Sequence, residues 1–289
     1  MNDLVKTNRR RLSSSELPPP SCEGPRLRAF QYRDKPIEWM GMLDDSPEIS
    51  SSSRQGYVFK VKVHSKIYAL KVFKFFKPTT YRWHLGPEDG RKVSDDTLEF
   101  NTDPFYAECR AYGRLQETRR KQGLKRRDFA HCHGFLALNK KDAAYIEEDL
   151  GIELWDVPPS DEYRRRAEGS PIRAIVKEFI ASDPVIDSRT LAKMIKGLGW
   201  MNKHGVLVWD IHARNYRGGI LVDFGSAWTR PHCLWDALPE DQKKDVHLSD
   251  RARFQDMADD LGLEDDTRAV ANIDYKMKLR PRKDKSYPR

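Results

Sequence analysis

Three side chains that could bind a metal ion and activate a hydroxyl group lie close together in the second half of the chain. Asp210 is followed by Asn215 at a D-x-x-x-x-N spacing, and Asp223 directly follows the apolar run GILV. Carboxylate and amide oxygens are the hard ligands that Mg²⁺ prefers. We interpret Asn215 and Asp223 as a magnesium-binding pair and Asp210 as the carboxylate beside an attacking hydroxyl. Taken singly, each residue could equally belong to a tight turn or a strand end.

The same segment resembles the catalytic loop and the metal-binding DFG segment of protein kinases. Asp223 begins the tripeptide DFG, and this tripeptide follows the D-x-x-x-x-N motif at the required distance. The resemblance implies that ATP is the phosphoryl donor and that Mg²⁺ binds between its phosphates and Asp223. The DFG tripeptide alone is a weak signal, whereas the two motifs together are fairly specific.

The first half of the chain supplies the remaining parts of this pattern. The segment YALK ends at Lys71 and fits the V-A-I-K motif, whose lysine holds the α- and β-phosphates. Glu108 is the candidate carboxylate that pairs with this lysine, and Gly56-x-Val58 resembles the end of a glycine-rich loop. Lys71 could instead be a lysine on a strand surface, and Glu108 could balance a neighbouring arginine.

A hinge segment completes the order of motifs. IVKEFI, which ends at Ile180, resembles the strand whose backbone binds adenine, so Glu178, Phe179 and Ile180 are candidate nucleotide contacts. His212 stands where kinases carry a lysine, and we expect it or Arg214 to approach the γ-phosphate. These elements occur in kinase order and cover roughly residues 55–229.

The pattern predicts an α+β, protein-kinase-like fold with two lobes. We expect a small antiparallel sheet with one helix, followed by a truncated and mostly helical C-lobe. Alternating and apolar runs predict strands at 57–63, 67–73, 129–138 and 172–180. Asp103-Pro104 and Ser188 predict helix starts. Phe105, Glu108, Tyr112 and Leu115 fall on one face of the first helix, and His204-Gly205 ends the second. Two further stretches, 76–102 and 153–170, read as a long loop and an insertion. The runs 206–209 and 219–222 read as a hairpin whose strands each end in an aspartate.

Composition divides the chain into four predicted parts: a disordered tail at 1–27, an N-lobe with hinge at 28–180, a reduced C-lobe at 181–275 and a basic tail at 276–289.

The net charge of +8 suggests nucleic-acid binding only weakly, because the basic residues form separate runs and no reading module accompanies them. The absence of an 18-residue apolar run and of a CxxC pair favours an intracellular, soluble protein with free thiols. A zinc site at His131-Cys132-His133 and His232-Cys233 is a weaker alternative.

Several positions depart from the kinase pattern. Ser51 and Ser53 stand where the other glycines of the loop would be, and their Cβ atoms hinder close approach to phosphate. Trp209 replaces the arginine of H-R-D that couples to activation-loop phosphorylation. No A-P-E segment follows Asp223, so we expect an unusual or absent protein-substrate platform.

The residues around the motifs point to a narrower protein family. YALKVFKF and GSAWTRPH resemble a fungal family of short kinase-like proteins that is named after a kinetochore complex subunit. The resemblance implies a nuclear role with kinetochore protein partners. The leading hypothesis is an ATP-dependent phosphotransferase with an unidentified acceptor. The alternative is a pseudokinase scaffold without catalysis.

Overall fold

The computed structural model describes residues 27–43, 54–86, 90, 92–181 and 186–263. The predicted N-terminal tail, apart from Leu27, and the predicted basic tail lie outside the described residues, and so do Ser51 and Ser53. Leu27 is buried, and the neighbouring Ala29 forms a β-bridge with Phe135. The segment before the first strand is therefore part of the packed body.

Five antiparallel strands form the sheet of the N-terminal half, in the spatial order β1-β2-β3-β5-β4. They are β1 (Glu38–Met42), β2 (Gly56–Val63), β3 (Lys66–Phe73), β4 (Cys132–Ala137) and β5 (Arg173–Glu178). The four strands predicted from sequence are confirmed. His64 and Ser65 have φ values of 48° and 67°, as a two-residue hairpin between β2 and β3 requires.

The two faces of the sheet carry different side chains because successive residues of a strand point to opposite sides. On β3, Leu70 and Val72 lie in one apolar core together with Val176 of β5. Phe73 lies in the other core, which also contains Ile175. Polar residues that alternate with Leu70, Val72 and Val176 must therefore emerge on the second face.

A long helix, Pro104–Lys121, packs on this second face and is called the Pro104 helix below. Asp103 caps it by accepting a hydrogen bond from the Phe105 amide at 2.8 Å, as the sequence predicted. Phe105, Glu108, Tyr112 and Leu115 are fully buried at three- and four-residue spacings. The predicted buried face of this helix is confirmed.

The second half of the chain is mainly helical. It contains the helices Ser188–Lys203, Cys233–Asp236 and Glu240–Asp260, and the last of these packs on the first. Asp187 caps the Ser188 helix through the Thr190 amide at 2.7 Å. This helix ends before His204 and Gly205, where the sequence predicted its end.

The prediction that the runs 206–209 and 219–222 pair with each other as a hairpin is wrong. The four short strands here are β6 (Val206–Leu207), β7 (Tyr216–Arg217), β8 (Ile220–Leu221) and β9 (Trp228–Thr229). β6 pairs with β9 and β8 pairs with β7, so the two apolar runs do not pair with each other. The turn Gly218-Gly219, with φ values of 55° and 73°, makes β7 and β8 the hairpin.

The stretch 76–102 is also more ordered than a long loop. It contains a 3₁₀ helix at Pro78–Leu85 and an α-helix at Asp95–Thr102, which Ser94 caps through the Thr97 amide at 3.1 Å. The stretch 153–170 holds a short helix at Glu162–Ala167. Two short helical segments, Lys140–Ala144 and Tyr145–Asp149, follow β4.

One apolar core joins the two halves, since it contains Phe105 and Tyr112 of the Pro104 helix as well as Leu198 and Phe254. A five-stranded antiparallel sheet with one packed helix, followed by a helical half, is the α+β two-lobe, protein-kinase-like fold that the sequence predicted. Among the helices of the described ranges, none combines the length and apolar character needed to cross a membrane. Cys132 and Cys233 are free thiols.

Candidate functional site

Lys71 and Glu108 form a buried ion pair between the sheet and the Pro104 helix. Lys71 Nζ donates to Glu108 Oε2 at 2.9 Å, and the two side chains are 3% and 0% exposed. Lys71 reaches the helix because it alternates with Leu70 and Val72, which face the other core. The pairing proposed from sequence therefore exists in the structure.

Asp223 approaches the same ammonium group from the second half of the chain. Lys71 Nζ lies 2.6 Å from Asp223 Oδ1 and 2.8 Å from Oδ2. Burial disfavours charge on both groups, but their mutual attraction is stronger. It raises the pKa of Lys71 above its ordinary value, with help from Glu108, and holds the pKa of Asp223 well below its ordinary value. Both side chains are therefore charged near neutral pH.

The loop that carries Asp210 is tied together by Asn215. Asn215 Nδ2 donates to the Asp210 carbonyl at 2.9 Å and to Asp210 Oδ2 at 3.0 Å. His212 Nε2 lies 3.2 Å from Asp210 Oδ1, and an Arg214 nitrogen lies 3.8 Å from the same oxygen. Because the amide nitrogen of Asn215 faces Asp210, its amide oxygen is the atom that remains for a metal ion. An amide oxygen together with the Asp223 carboxylate fits the oxygen preference of Mg²⁺.

Phe224 anchors the segment that presents Asp223. Its ring is 1% exposed and packs edge-on against Tyr112 of the Pro104 helix, with ring centroids 5.0 Å apart. Its ring centroid also lies 6.0 Å from that of Phe129. The Gly225 amide donates to Asp223 Oδ1 at 2.7 Å. Since Phe224 is buried beneath the helix, Asp223 is directed toward Lys71 rather than away from it.

Lys71, Asp210, Asn215 and Asp223 line a cavity of about 250 Å³ between the two halves. Ala69 and Val222 contribute apolar wall, and Arg54, Arg214 and Arg217 contribute positive charge. The predicted site residues in the wall are Gly56, Val58, Lys71, Glu178, Phe179, Ile180, Asp210, Asn215 and Asp223. Two predicted residues are not in the wall: Glu108 is fully buried and pairs with Lys71, and His212 lies beside Asp210.

Gly56 is required at its position for a steric reason. A Cβ on Gly56 would lie 2.2 Å from the Val72 carbonyl oxygen. The side chain of the preceding Gln55 extends across the cleft and donates to Ser226 Oγ at 2.8 Å. The loop end is therefore close to the segment that follows Asp223.

Two residues of the site were missed in the sequence analysis. Lys177 of β5 contacts Glu108, and Asp250 of the Glu240 helix supports the loop before Asp210. Asp250 is fully buried and accepts from the Val208 amide at 2.7 Å, the Trp209 amide at 2.8 Å and Asn202 Nδ2 at 2.7 Å. Burial raises the pKa of Asp250, although the amide hydrogen bonds oppose this shift. No local motif marks it.

Asp250 explains the conformation of the residue before Asp210. Trp209 has a φ of 64°, in the left-handed region that a bulky residue rarely adopts. The hydrogen bond from its amide to Asp250 helps to hold this conformation, and Asp210 follows directly.

The weaker zinc alternative has no support in the described ranges, because no group of three or more His, Cys, Asp or Glu side chains there could hold a metal ion. His131 precedes β4 and is exposed, whereas Cys132, the first residue of β4, is buried.

Solved structures of kinases share similarity with the chain. A structure of vaccinia related kinase 3 matches at 10% identity with a TM-score of 0.37, covering 72% of this chain and 53% of the other. Rad53 residues 1–466 in complex with AMP-PNP match at 12% identity with a TM-score of 0.37, covering 78% and 49%. The kinase domain of Mycobacterium tuberculosis PknI matches at 14% identity with a TM-score of 0.30, covering 71% and 63%. The chain thus spans less than two thirds of each of these solved chains.

The fold assignment rests on the strand order and the helix placement rather than on these scores. No curated protein matches the chain. A family model described as kinetochore Sim4 complex subunit FTA2 matches residues 16–228, which is well over half of the sequence. The chain belongs to the kinetochore Sim4 complex subunit FTA2 family.

Proposed function

We propose that this protein binds ATP with Mg²⁺ in the cleft between its two halves and transfers the γ-phosphoryl group to a hydroxyl acceptor. The observation that carries the proposal is the contact of one buried ammonium, Lys71, with both Glu108 and Asp223 at the wall of the cavity. In protein kinases the lysine–glutamate pair and the DFG aspartate must both be in place for phosphoryl transfer. Both are in place here.

Each charged residue has one role in this proposal. Lys71 binds the α- and β-phosphates, and Glu108 orients it. Asp210 positions the acceptor hydroxyl and accepts its proton. Asn215 and Asp223 hold Mg²⁺, which when bound neutralises charge on the phosphate oxygens. Asp223 is partly exposed, with 26% of its side chain accessible, so one face remains open to a ligand.

The apolar part of the cavity accommodates the base. Val58 and Ala69 come from the sheet, Val222 from the opposite side, and the backbone of 178–180 forms the edge. His212 and Arg214 lie at the Asp210 carboxylate, with side chains 56% and 55% exposed. In this proposal they meet the γ-phosphate on the acceptor side.

Transfer is tested by incubating the purified protein with γ-labelled ATP, Mg²⁺ and hydroxyl-bearing acceptors, including the protein itself and serine peptides. The proposal expects labelled product with the wild type and none with Asp210→Asn, which removes the proton acceptor. Asp256→Asn, on the exposed part of the Glu240 helix, is the matched control and should retain activity. Product from Asp210→Asn at the wild-type rate would reject the assigned mechanism.

A second function, a kinetochore scaffold without catalysis, is favoured by the family assignment, since the family description names a complex subunit. In a scaffold Lys71 and Asp223 would only stabilise the fold. Under either function, the family assignment supports a nuclear location and kinetochore protein partners. Replacing the endogenous gene with a Lys71→Arg allele discriminates the two functions. The substitution keeps the positive charge that pairs with Glu108 and Asp223, but it changes the group that is proposed to bind the phosphates. Loss of cellular function with normal protein level and normal co-purification of partners supports the enzyme; intact function supports the scaffold.

A further inference from the structure

A second lysine, Lys177, lies beside the cleft and has no role in the function proposed above. It stands on β5, two residues after Ile175, and Ile175 pairs with Lys71 across the sheet. Lys177 itself pairs with Ala69. Since side chains two residues apart share a face, both lysines project toward the Pro104 helix. Lys177 is 3% exposed and is one of the residues that line the cavity.

Both contacts of the Lys177 ammonium go to parts of the proposed site. Its Nζ donates to Glu108 Oε1 at 2.8 Å and to the Val222 carbonyl at 2.7 Å. Glu108 Oε2 is the oxygen that Lys71 contacts. The two oxygens of one buried carboxylate are thus divided between two lysines.

The charges in this cluster balance. Lys71 and Lys177 carry two positive charges, and Glu108 and Asp223 carry two negative charges. Removal of one lysine would leave an uncompensated buried carboxylate, which is costly in a low-dielectric interior. Lys177 therefore adds more than a single hydrogen bond.

Lys177 also connects two elements that must be aligned. Glu108 belongs to the Pro104 helix, whereas Val222 directly precedes Asp223. In many kinases the helix position is set by activation-loop phosphorylation through an arginine beside the catalytic aspartate. That position is Trp209 here. A buried bond that joins the helix to the segment before Asp223 performs the same alignment without a modification.

We infer that Lys177 is a positioning residue, which holds Glu108 and the backbone before Asp223 in the arrangement that binds phosphates and Mg²⁺. This inference rests on the proposed function and specifies its regulation: the cleft keeps this arrangement without activation-loop phosphorylation. The residue acts through Glu108 and Val222 and does not itself touch the reacting atoms.

The test compares Lys177→Met with Lys62→Met in the full chain. Lys62 is on β2 of the same sheet and forms an ion pair with Glu38 at 3.0 Å, but both side chains are exposed. Hydrogen exchange is measured in peptides covering 222–227, and ATP affinity is measured with and without Mg²⁺. We expect exchange in 222–227 to accelerate selectively in Lys177→Met. We also expect Mg²⁺-dependent affinity to fall by roughly 10–100-fold, as for other residues that orient metal ligands. Lys62→Met should change neither.

A merely structural role predicts a different result. Exchange would then rise across the whole sheet, and the ratio of affinities with and without Mg²⁺ would stay at the wild-type value; that outcome overturns the inference. If Lys177→Met does not fold, Lys177→Gln is measured in the same way, since its amide keeps a donor for the Val222 carbonyl. Exchange in 222–227 and the ratio of ATP affinities with and without Mg²⁺ then decide the outcome.

Failure of the proposed function gives a separate signal. If the wild type binds no ATP, that proposal falls, and the exchange measurement alone decides the role of Lys177. Unchanged exchange in 222–227 would then reject it, and selective acceleration would retain it as the bond that joins the helix to the Asp223 segment.

Discussion

Lys71 Nζ lies 2.9 Å from Glu108 Oε2 and 2.6 Å from Asp223 Oδ1, so one ammonium group joins the sheet, the Pro104 helix and the segment after β8. Each of these three elements comes from a different part of the chain. The arrangement of the cleft therefore depends on a small number of buried charges, and most of the predictions below remove one group from that arrangement or from its support.

Replacing Lys71 by Met should destabilise the protein by about 3–5 kcal/mol, because Asp223 and Glu108 lose a shared buried counter-ion. Urea unfolding followed by circular dichroism measures the change. Lys62→Met breaks an exposed pair and should cost only about 0–1 kcal/mol. Equal losses in the two variants would show that burial of the Lys71 cluster contributes nothing.

Asp210→Asn should abolish phosphoryl transfer while leaving ATP affinity within about threefold of the wild type. The carboxylate is expected to act on the acceptor hydroxyl rather than on the nucleotide, and an amide cannot accept the proton. Single-turnover assays and calorimetric titration give the two quantities. Loss of binding in this variant would place Asp210 in the nucleotide site instead.

Asp250→Asn should lower the free energy of unfolding by roughly 2–4 kcal/mol, because the amides of Val208 and Trp209 lose a charged acceptor in a buried site. Urea unfolding provides the measurement, with the exposed Asp245→Asn as control. We also expect phosphoryl transfer to slow, since Trp209 is freed to leave its left-handed conformation. An Asp250→Asn protein as stable and as active as the wild type would contradict this role.

His232 should make the protein sensitive to mild acid. It is buried, and desolvation together with Arg110 lowers its pKa from 6.5 to about 3, although the hydrogen bond to the Asn101 carbonyl opposes the shift. The unfolded chain binds the proton more readily, so stability is complete above about pH 6.5 and is lost as the pH falls toward the folded pKa.

Between about pH 7 and pH 5 the wild type should lose about 2 kcal/mol through His232. Urea unfolding of His232→Gln at both pH values should show a correspondingly smaller loss. His64→Gln, on the exposed turn, should keep the wild-type dependence. An identical slope in His232→Gln and the wild type would exclude His232 as its source.

The pairing of Lys71 with Glu108 was predicted from the resemblance to the kinase motifs, and short periods and local signals predicted the elements that carry the two residues. Alternation in 57–73 fixed the two strands, and thereby the face on which Lys71 emerges. Asp103-Pro104 fixed the start of the helix, and the helical period then placed Glu108 on the buried side. These signals each lie within a few residues of the group that they position.

Most of the features that were predicted wrongly or missed lack a local signal of this kind. Val206–Leu207 and Ile220–Leu221 are two-residue strands, and periodicity cannot choose a partner for so short a run. The helix Asp95–Thr102 was missed although Ser94 followed by two aspartates is a helix-start signal. Asp250 acts on a loop about forty residues away, and Lys177 stands in a strand where a lysine is ordinarily exposed. Contacts between distant segments have no local signature.

Calorimetric titration of the purified protein with ATP in the presence of Mg²⁺ tests the central claim most directly. The account predicts saturable one-site binding that requires Mg²⁺ for full affinity. It also predicts that this binding is lost in Asp223→Asn, and that Asp256→Asn behaves as the wild type. Absence of binding by the folded wild-type protein at millimolar ATP, or equal binding by Asp223→Asn, would contradict the account.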